Sequence, residues 1–155
     1  MDNTLIKFDN LARVMADYAH DLEYYYKENI DKSDKVASGN LLSSVSTYIQ
    51  MGDNDFTVVL NVANYWKYVE NGRRPGKQPP VDKIREWLEV KSTLPVPKGL
   101  EYYIAKKIGE RGIPATPILE PTLEDINREY EERISEAITY DLDALGDSIL
   151  FTLRQ

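Results

Sequence analysis

Side chains able to do chemistry are scarce in this chain of 155 residues. His20 is the only histidine and cysteine is absent, so zinc sites, iron–sulfur sites and cysteine nucleophiles lack their usual ligands. His20 falls within a helical pattern, where a lone histidine usually packs or faces solvent. Gly76-Lys77 is followed by Gln78 in place of Ser or Thr, so no phosphate-binding loop is formed. We therefore expect no enzymatic activity and no cofactor.

Carboxylates are the remaining source of chemistry. Asp53 and Asp55 lie in a predicted turn, where aspartate hydrogen-bonds the local backbone. Asp141, Asp143 and Asp147 gather near the end of the last predicted helix, where a cation would offset their opposition to the helix dipole. No ligand set has a complete spacing, so we expect no metal site. A metal-dependent hydrolase is an alternative that a metal-dependent shift in melting temperature would support.

A basic loop is the next candidate. Arg73, Arg74 and Lys77 lie within five residues, preceded by Tyr65 and Tyr68. Arginine beside aromatic rings can bind single-stranded nucleic acid, but the chain as a whole carries a net charge of −7. Arg and Tyr are also enriched at protein–protein hot spots. We therefore expect these five residues to bind protein, and a small nucleic-acid-binding or inhibitor module is the alternative.

Charge is unevenly distributed along the chain. Residues 1–66 have a net charge of −5, residues 67–119 of +5 and residues 120–155 of −7. Internal pairing or solvated faces explain this most simply. The alternative is a subunit whose basic middle contacts an acidic partner such as the next copy of itself.

Hydrophobic periodicity predicts one α+β domain over residues 1–155, with a small antiparallel sheet covered by helices and long helices at both termini. A period of two around a polar turn predicts a β-hairpin over 44–62. The predicted helices cover 3–30, 64–71, 80–91, 98–109 and 121–153, and the last has an apolar stripe nearly to its end. The predicted N-caps are Asp2 or Asn3, Ser38 or Asn40, and Asn64. Gly146 is a predicted weak point of the last helix.

Neither a membrane span nor a signal peptide is predicted. No apolar run approaches the roughly 20 residues that a span needs. The first residues lack the basic and apolar regions of a secretory signal. We therefore expect a soluble protein that is cytoplasmic where it is made.

Residues 38–45 (SGNLLSSV), 65–72 (YWKYVENG) and 115–121 (ATPILEP) form a set of three segments in a fixed order. Together these segments resemble one family, the tail-completion and head–tail joining proteins of tailed bacteriophages. Residues 38–45 (SGNLLSSV) resemble its "TG-x-L-x-x-S-I/V" entry to the first strand. Residues 65–72 (YWKYVENG) resemble its "YA-x-YVE-x-G" segment after the hairpin, and residues 115–121 (ATPILEP) its "A-x-P-F/I-L-x-P" entry to the last helix. The resemblance spans roughly residues 5–140. The sequence departs from the pattern at Ser38, where Thr is usual, and in residues 73–80 and the helix that follows.

The resemblance implies a structural protein of the virion neck that is present in the host cytoplasm during assembly. Such subunits form a six- or twelve-fold ring between portal or adaptor protein and tail protein, with DNA only as passing cargo and no membrane partner. On this interpretation Arg73, Arg74 and Lys77, with Tyr65 and Tyr68, contact a neighbouring subunit or the next ring. The acids Asp141, Asp143 and Asp147 face the DNA channel or an interface.

Overall fold

Two long helices, one from each end of the chain, form the frame of the fold. The computed structural model describes residues 8–33, 40–52, 55–92 and 95–154. Helix α1 is Asp9–Lys32 and helix α6 is Leu119–Leu153. Between them come α2 (Asn40–Ser44), β1 (Ser46–Met51), β2 (Phe56–Asn61), α3 (Trp66–Glu70), α4 (Val81–Lys91) and α5 (Leu100–Arg111).

Helices α1 and α6 pack antiparallel along their apolar stripes. Leu22 of α1 packs with Ile126 and Tyr130 of α6, and all three are buried. Tyr18 meets Tyr130 edge to face, with ring centroids 5.3 Å apart. Burying each such side chain stabilises the fold by roughly 1.5–3 kcal/mol before conformational entropy is counted. This seam therefore aligns the two ends of the chain.

The β-hairpin packs beside α1. Strands β1 and β2 pair antiparallel, from Ser46 opposite Asn61 to Met51 opposite Phe56. The Thr47 backbone N–H donates to Glu23 Oε2 at 2.8 Å, and the Thr47 hydroxyl donates to the Ala19 carbonyl at 2.9 Å. A two-stranded sheet is marginal alone, so these bonds and packing from α1 hold it in place.

Helices α4 and α5 pack mainly against each other, and together we call them the α4–α5 lobe. Leu88 of α4 and Ala105 of α5 have buried side chains. Arg85 of α4 forms an ion pair with Glu101 of α5, and this pairing lowers the pKa of the Glu101 carboxyl. The lobe is a satellite of the α1–α6 frame, attached to it through the loops at its two ends.

The predicted fold class is confirmed: a hairpin packs against long N- and C-terminal helices. The boundaries differ at several ends. Helix α6 begins at Leu119 instead of 121, α3 covers Trp66–Glu70 instead of 64–71, and α5 runs to Arg111 instead of 109. Helix α1 begins at Asp9 and ends at Lys32. The predicted start at residue 3 and the caps Asp2, Asn3 and Ser38 lie outside the described residues.

The predicted cap at Asn64 is wrong, because Tyr65 occupies the N-cap position of α3. The N-cap position of α1 is Phe8 and that of α6 is Ile118, and neither makes a capping hydrogen bond with its side chain. Carboxylates from other elements accept hydrogen bonds at the start of both helices instead: Asp141 at α1 and Glu70 at α6. Within the described ranges, no helix is long and apolar enough to cross a bilayer.

Candidate functional site

Glu70, at the end of α3, caps the start of α6 from a distance. Its carboxylate is buried, and Oε2 accepts a hydrogen bond from the Ile118 backbone N–H at 2.8 Å. Oε1 accepts one from the Leu119 N–H at 2.9 Å. Free N–H groups and the helix dipole favour a negative charge at this position. Glu70 therefore fixes where α6 begins.

Tyr26 of α1 completes this junction. Its hydroxyl donates to Glu70 Oε1 across 3.4 Å, and its ring is buried. Burial, followed by the nearby Glu70 charge, raises the pKa of the Tyr26 phenol above its usual value. Tyr26 therefore stays protonated at neutral pH and can keep donating to Glu70. We call Tyr26, Glu70, Ile118 and Leu119 the Glu70 junction.

The three segments that carry the family resemblance meet around this junction. Leu41 and Val45 from the first segment share a buried cluster with Ile118 from the third. Val69, from the second segment, accepts a hydrogen bond on its carbonyl from the Thr116 N–H at 2.8 Å. Together with Glu70, these contacts join segments that lie far apart in sequence into one structural unit.

Two glycines allow the chain to cross itself beside the junction. Arg73 and Ile113 exchange two backbone hydrogen bonds of 2.8 Å, which attach one end of the α4–α5 lobe to the other. Gly112 has φ +73°, and a Cβ there would lie 2.0 Å from the Arg73 carbonyl oxygen. Gly72 has φ +67°, and a Cβ there would lie 2.4 Å from the Ile113 oxygen. Only glycine fits both crossing positions.

The predicted interface residues divide into structural and exposed side chains. Arg73 is half-buried, and its guanidinium donates to the Lys77 carbonyl, so it holds the loop together. Arg74 and Lys77 are exposed and form no ion pair with any residue the structure describes. Tyr65 and Tyr68 are exposed too, Tyr68 at 60%. Neither tyrosine contacts these three cations by a hydrogen bond or ring interaction within the described ranges.

Asp141 requires a correction. Its carboxylate does not face solvent, because it is buried against the first turn of α1. Oδ1 accepts hydrogen bonds from the Asn10 backbone N–H at 3.1 Å and the Asn10 amide at 2.8 Å, and Oδ2 accepts one from the Leu11 N–H at 2.9 Å. Asp141 is therefore the cap that α1 lacks locally. Asp143 and Asp147 are exposed, as a channel or interface role requires.

Replacing Asp141 with alanine is expected to lower the free energy of unfolding by about 1–2 kcal/mol, because the first turn of α1 loses its acceptor. Asp143→Ala, two residues away and exposed, is the matched control and should change stability by less than about 0.5 kcal/mol. Urea denaturation of both variants measures the difference. Equal stabilities would contradict the capping role.

The Asp141 contribution should also depend on pH. Burial alone would raise the pKa of this carboxyl, but the hydrogen bonds from Leu11 and Asn10 outweigh it and hold the pKa below its usual value. A lowered native pKa means that the stabilisation is complete above the unfolded pKa of about 3.9 and is lost as pH falls through the native value. The gap between wild type and Asp141→Ala should therefore shrink below about pH 4. A gap that stays constant under acid conditions would contradict this.

An open groove of about 510 Å³ lies between α1 and β1. His20 lines it with an exposed side chain, its Nδ1 3.2 Å from Asp21 Oδ1. The groove's carboxylate, Glu23, already accepts hydrogen bonds from Thr47 and Lys27. In the part of the chain that the structure describes, no three His, Asp or Glu side chains are grouped to hold a metal ion.

Two exposed surfaces were not recognised in the sequence. Asp141 of α6 meets the first turn of α1, which begins at Asp9, and α6 continues for twelve residues past this point. Beyond it the exposed apolar side chains are Leu142, Ile149, Leu150, Phe151 and Leu153. On the α4–α5 lobe, Tyr102 and Tyr103 are each 57% exposed. The first surface could have been recognised from the sequence, because the last predicted helix (121–153) is longer than the first (3–30).

Comparison with known protein families, curated proteins and solved structures finds no match for this chain.

Proposed function

We propose that this protein is a structural subunit of a tailed-phage neck. It forms a ring at the portal–tail junction, between a portal or adaptor protein on one side and a tail protein on the other, and DNA passes through as cargo. The subunit is present in the host cytoplasm during assembly and is part of the neck in the finished virion. It acts by binding other proteins and not by catalysis.

The observation that carries the proposal is the convergence of the three resembling segments on the Glu70 junction. The glutamate of residues 65–72 accepts hydrogen bonds from the Ile118 and Leu119 N–H groups of residues 115–121. Leu41 and Val45 of residues 38–45 pack in the same cluster as Ile118. The three segments therefore form one structural unit, which is the arrangement expected of parts of a single shared motif.

The distribution of exposed side chains supports an assembly role. Ring subunits need two different surfaces that complement each other, because each copy contacts its neighbours through opposite faces. This chain has an exposed apolar end of α6 with Asp143 and Asp147, and a basic loop with Arg74 and Lys77. These surfaces differ in charge, as a contact between successive copies requires.

Deleting the coding sequence from the phage or prophage that carries it tests the proposal. Electron microscopy of the resulting lysates should show DNA-filled or leaking heads separated from tails. Supplying the wild-type gene on a plasmid should restore joined particles and plaque formation. Intact infectious particles in the deletion strain would contradict the neck role and favour a small binding module instead.

A further inference from the structure

The last three turns of α6 extend beyond the helix pair. Helix α6 has 35 residues, and Asp141 meets Asn10 and Leu11 at the first turn of α1. The twelve residues from 142 to 153 continue for about 18 Å at 1.5 Å per residue. We call them the apolar end of α6. Its five exposed apolar side chains have 50–77% of their surface accessible. Several exposed apolar side chains grouped at one end of a helix are typical of contact with another protein.

The charged side chains within residues 142–153 are both acidic, and Arg154 follows them at the C-cap. Asp143 and Asp147 are the only charged residues between 142 and 153. Both are exposed, and neither forms an ion pair with any described residue. The surface that covers this end must therefore offer apolar or aromatic contact together with positive charge.

The α4–α5 lobe and its basic loop have this complementary character. Residues 73–112 contain ten basic and five acidic residues. The Gly76 N–H donates to the Gly109 carbonyl at 2.8 Å, which holds the basic loop against the end of α5. We define the basic lobe surface by its exposed aromatic and cationic members, Arg74, Lys77, Tyr102, Tyr103 and Arg111. Its three cations form no ion pair within the described part of the chain.

The two surfaces of one molecule cannot meet. The lobe joins the frame at the Arg73–Ile113 bridge, just before α6 begins at Leu119. The apolar end begins at residue 142, about 35 Å along α6 from Leu119 at 1.5 Å per residue. Helices α4 and α5 have only 11 and 12 residues, about 17 Å each. A lobe of this size does not span the distance.

We propose that the apolar end of α6 docks onto the basic lobe surface of a second copy. This rests on the proposed neck function and names the contact between successive subunits. Two apolar ends meeting each other would bring Asp143 and Asp147 of both copies together, and like charges oppose that arrangement. End-to-lobe contact instead pairs these acids with Arg74 and Lys77. The contact joins two different surfaces, so it repeats from copy to copy and closes into a ring where the rotation allows.

Two variants of the purified chain test this contact. The end variant carries Leu150→Asp and Phe151→Asp, and the lobe variant carries Arg74→Glu and Lys77→Glu. All four positions are exposed, so circular dichroism should show wild-type helix content. A control with Lys32→Glu and Arg128→Glu matches the lobe variant in net charge at exposed sites on α1 and α6.

Sedimentation velocity should show oligomers for the wild type and for the control, and monomers for each test variant alone. An equimolar mixture of the two test variants should form a one-to-one dimer and nothing larger. The reason is that the end variant supplies an intact lobe, the lobe variant supplies an intact end, and no further intact pair remains. Added salt should weaken this dimer, because part of the attraction is between exposed charges.

Three results would overturn the proposal. A lobe variant that assembles like the wild type would mean that the apolar end binds something other than the lobe. A mixture that stays monomeric while the wild type assembles would exclude the heterologous contact. A wild type that stays monomeric at about 0.5 mM would mean that the dissociation constant of this contact is too high for assembly. The apolar end would then be covered by residues 1–7 or by another protein. None of these depends on the gene-deletion phenotype, so a failure here is distinguishable from failure of the neck function.

Discussion

Replacing Glu70 with alanine is expected to lower the free energy of unfolding by about 3–4 kcal/mol. The substitution removes the acceptor for the Ile118 and Leu119 N–H groups and for the Tyr26 hydroxyl. Each buried donor left without a partner costs about 1–3 kcal/mol. A domain of this size is stable by only about 5–15 kcal/mol, so the loss should lower the melting temperature by roughly 10 °C.

Glu120→Ala is the matched control, because Glu120 is an exposed glutamate in the first turn of α6. It should change stability by less than about 1 kcal/mol, the usual range for a surface charge at a helix start. Glu70→Gln retains the shape and one acceptor oxygen and should fall between the two. Thermal and urea unfolding measure the stabilities of the three variants. Similar stabilities for Glu70→Ala and Glu120→Ala would refute the capping role of Glu70.

Replacing Gly112 with alanine is expected to destabilise the fold by about 3 kcal/mol. Part of this is backbone strain, since φ +73° with ψ −163° is a region that essentially only glycine adopts, at a cost of about 1–3 kcal/mol for other residues. The rest is steric, because the new Cβ would lie 2.0 Å from the Arg73 carbonyl oxygen. That oxygen accepts the 2.8 Å hydrogen bond from the Ile113 N–H, so relieving the contact weakens the bridge.

Gly146→Ala should have the opposite effect. Gly146 lies inside α6, and a Cβ there would meet no atom within 4 Å. Alanine in a helix interior is favoured over glycine by roughly 0.5–1 kcal/mol, so this variant should be more stable than the wild type. Denaturant midpoints of the two alanine variants should therefore shift in opposite directions. An unchanged midpoint for Gly112→Ala would show that the Gly112 crossing does not constrain the fold, and a lowered midpoint for Gly146→Ala would contradict the gain expected in α6.

Features with a local cause were predictable from the sequence. The alternation in residues 44–62 predicts the hairpin because neighbouring side chains in a strand face opposite sides. The apolar side chains of the long helices recur every three or four residues because this spacing places them on the buried side of a helix. Proline and glycine delimit the short helices because proline lacks a backbone N–H and glycine adopts conformations that end a helix. The fold class was therefore correct.

The roles of individual acids could not be predicted in the same way. Glu70 meets Ile118 across 48 positions, and Asp141 meets Asn10 across 131. Nothing in the neighbourhood of either residue distinguishes a capping carboxylate from a solvated one. Sequence spacing therefore groups Asp141 with Asp143 and Asp147, although Asp141 is buried and the other two are exposed. It groups Arg73 with Arg74 for the same reason, although the Arg73 guanidinium donates a hydrogen bond within its own loop.

Because α6 is one continuous helix, its number of residues determines how far the α4–α5 lobe lies from the apolar end of α6. The lobe is attached near one end of this helix and the apolar surface lies at the other, so their separation is set by the number of residues in a single rod. One residue inserted between them would lengthen the rod by about 1.5 Å and turn its far end by about 100°. The same insertion in a surface loop would change neither quantity. Changes in the length of α6 therefore alter both spacing and orientation at once, and the loops are free to vary in length without that effect.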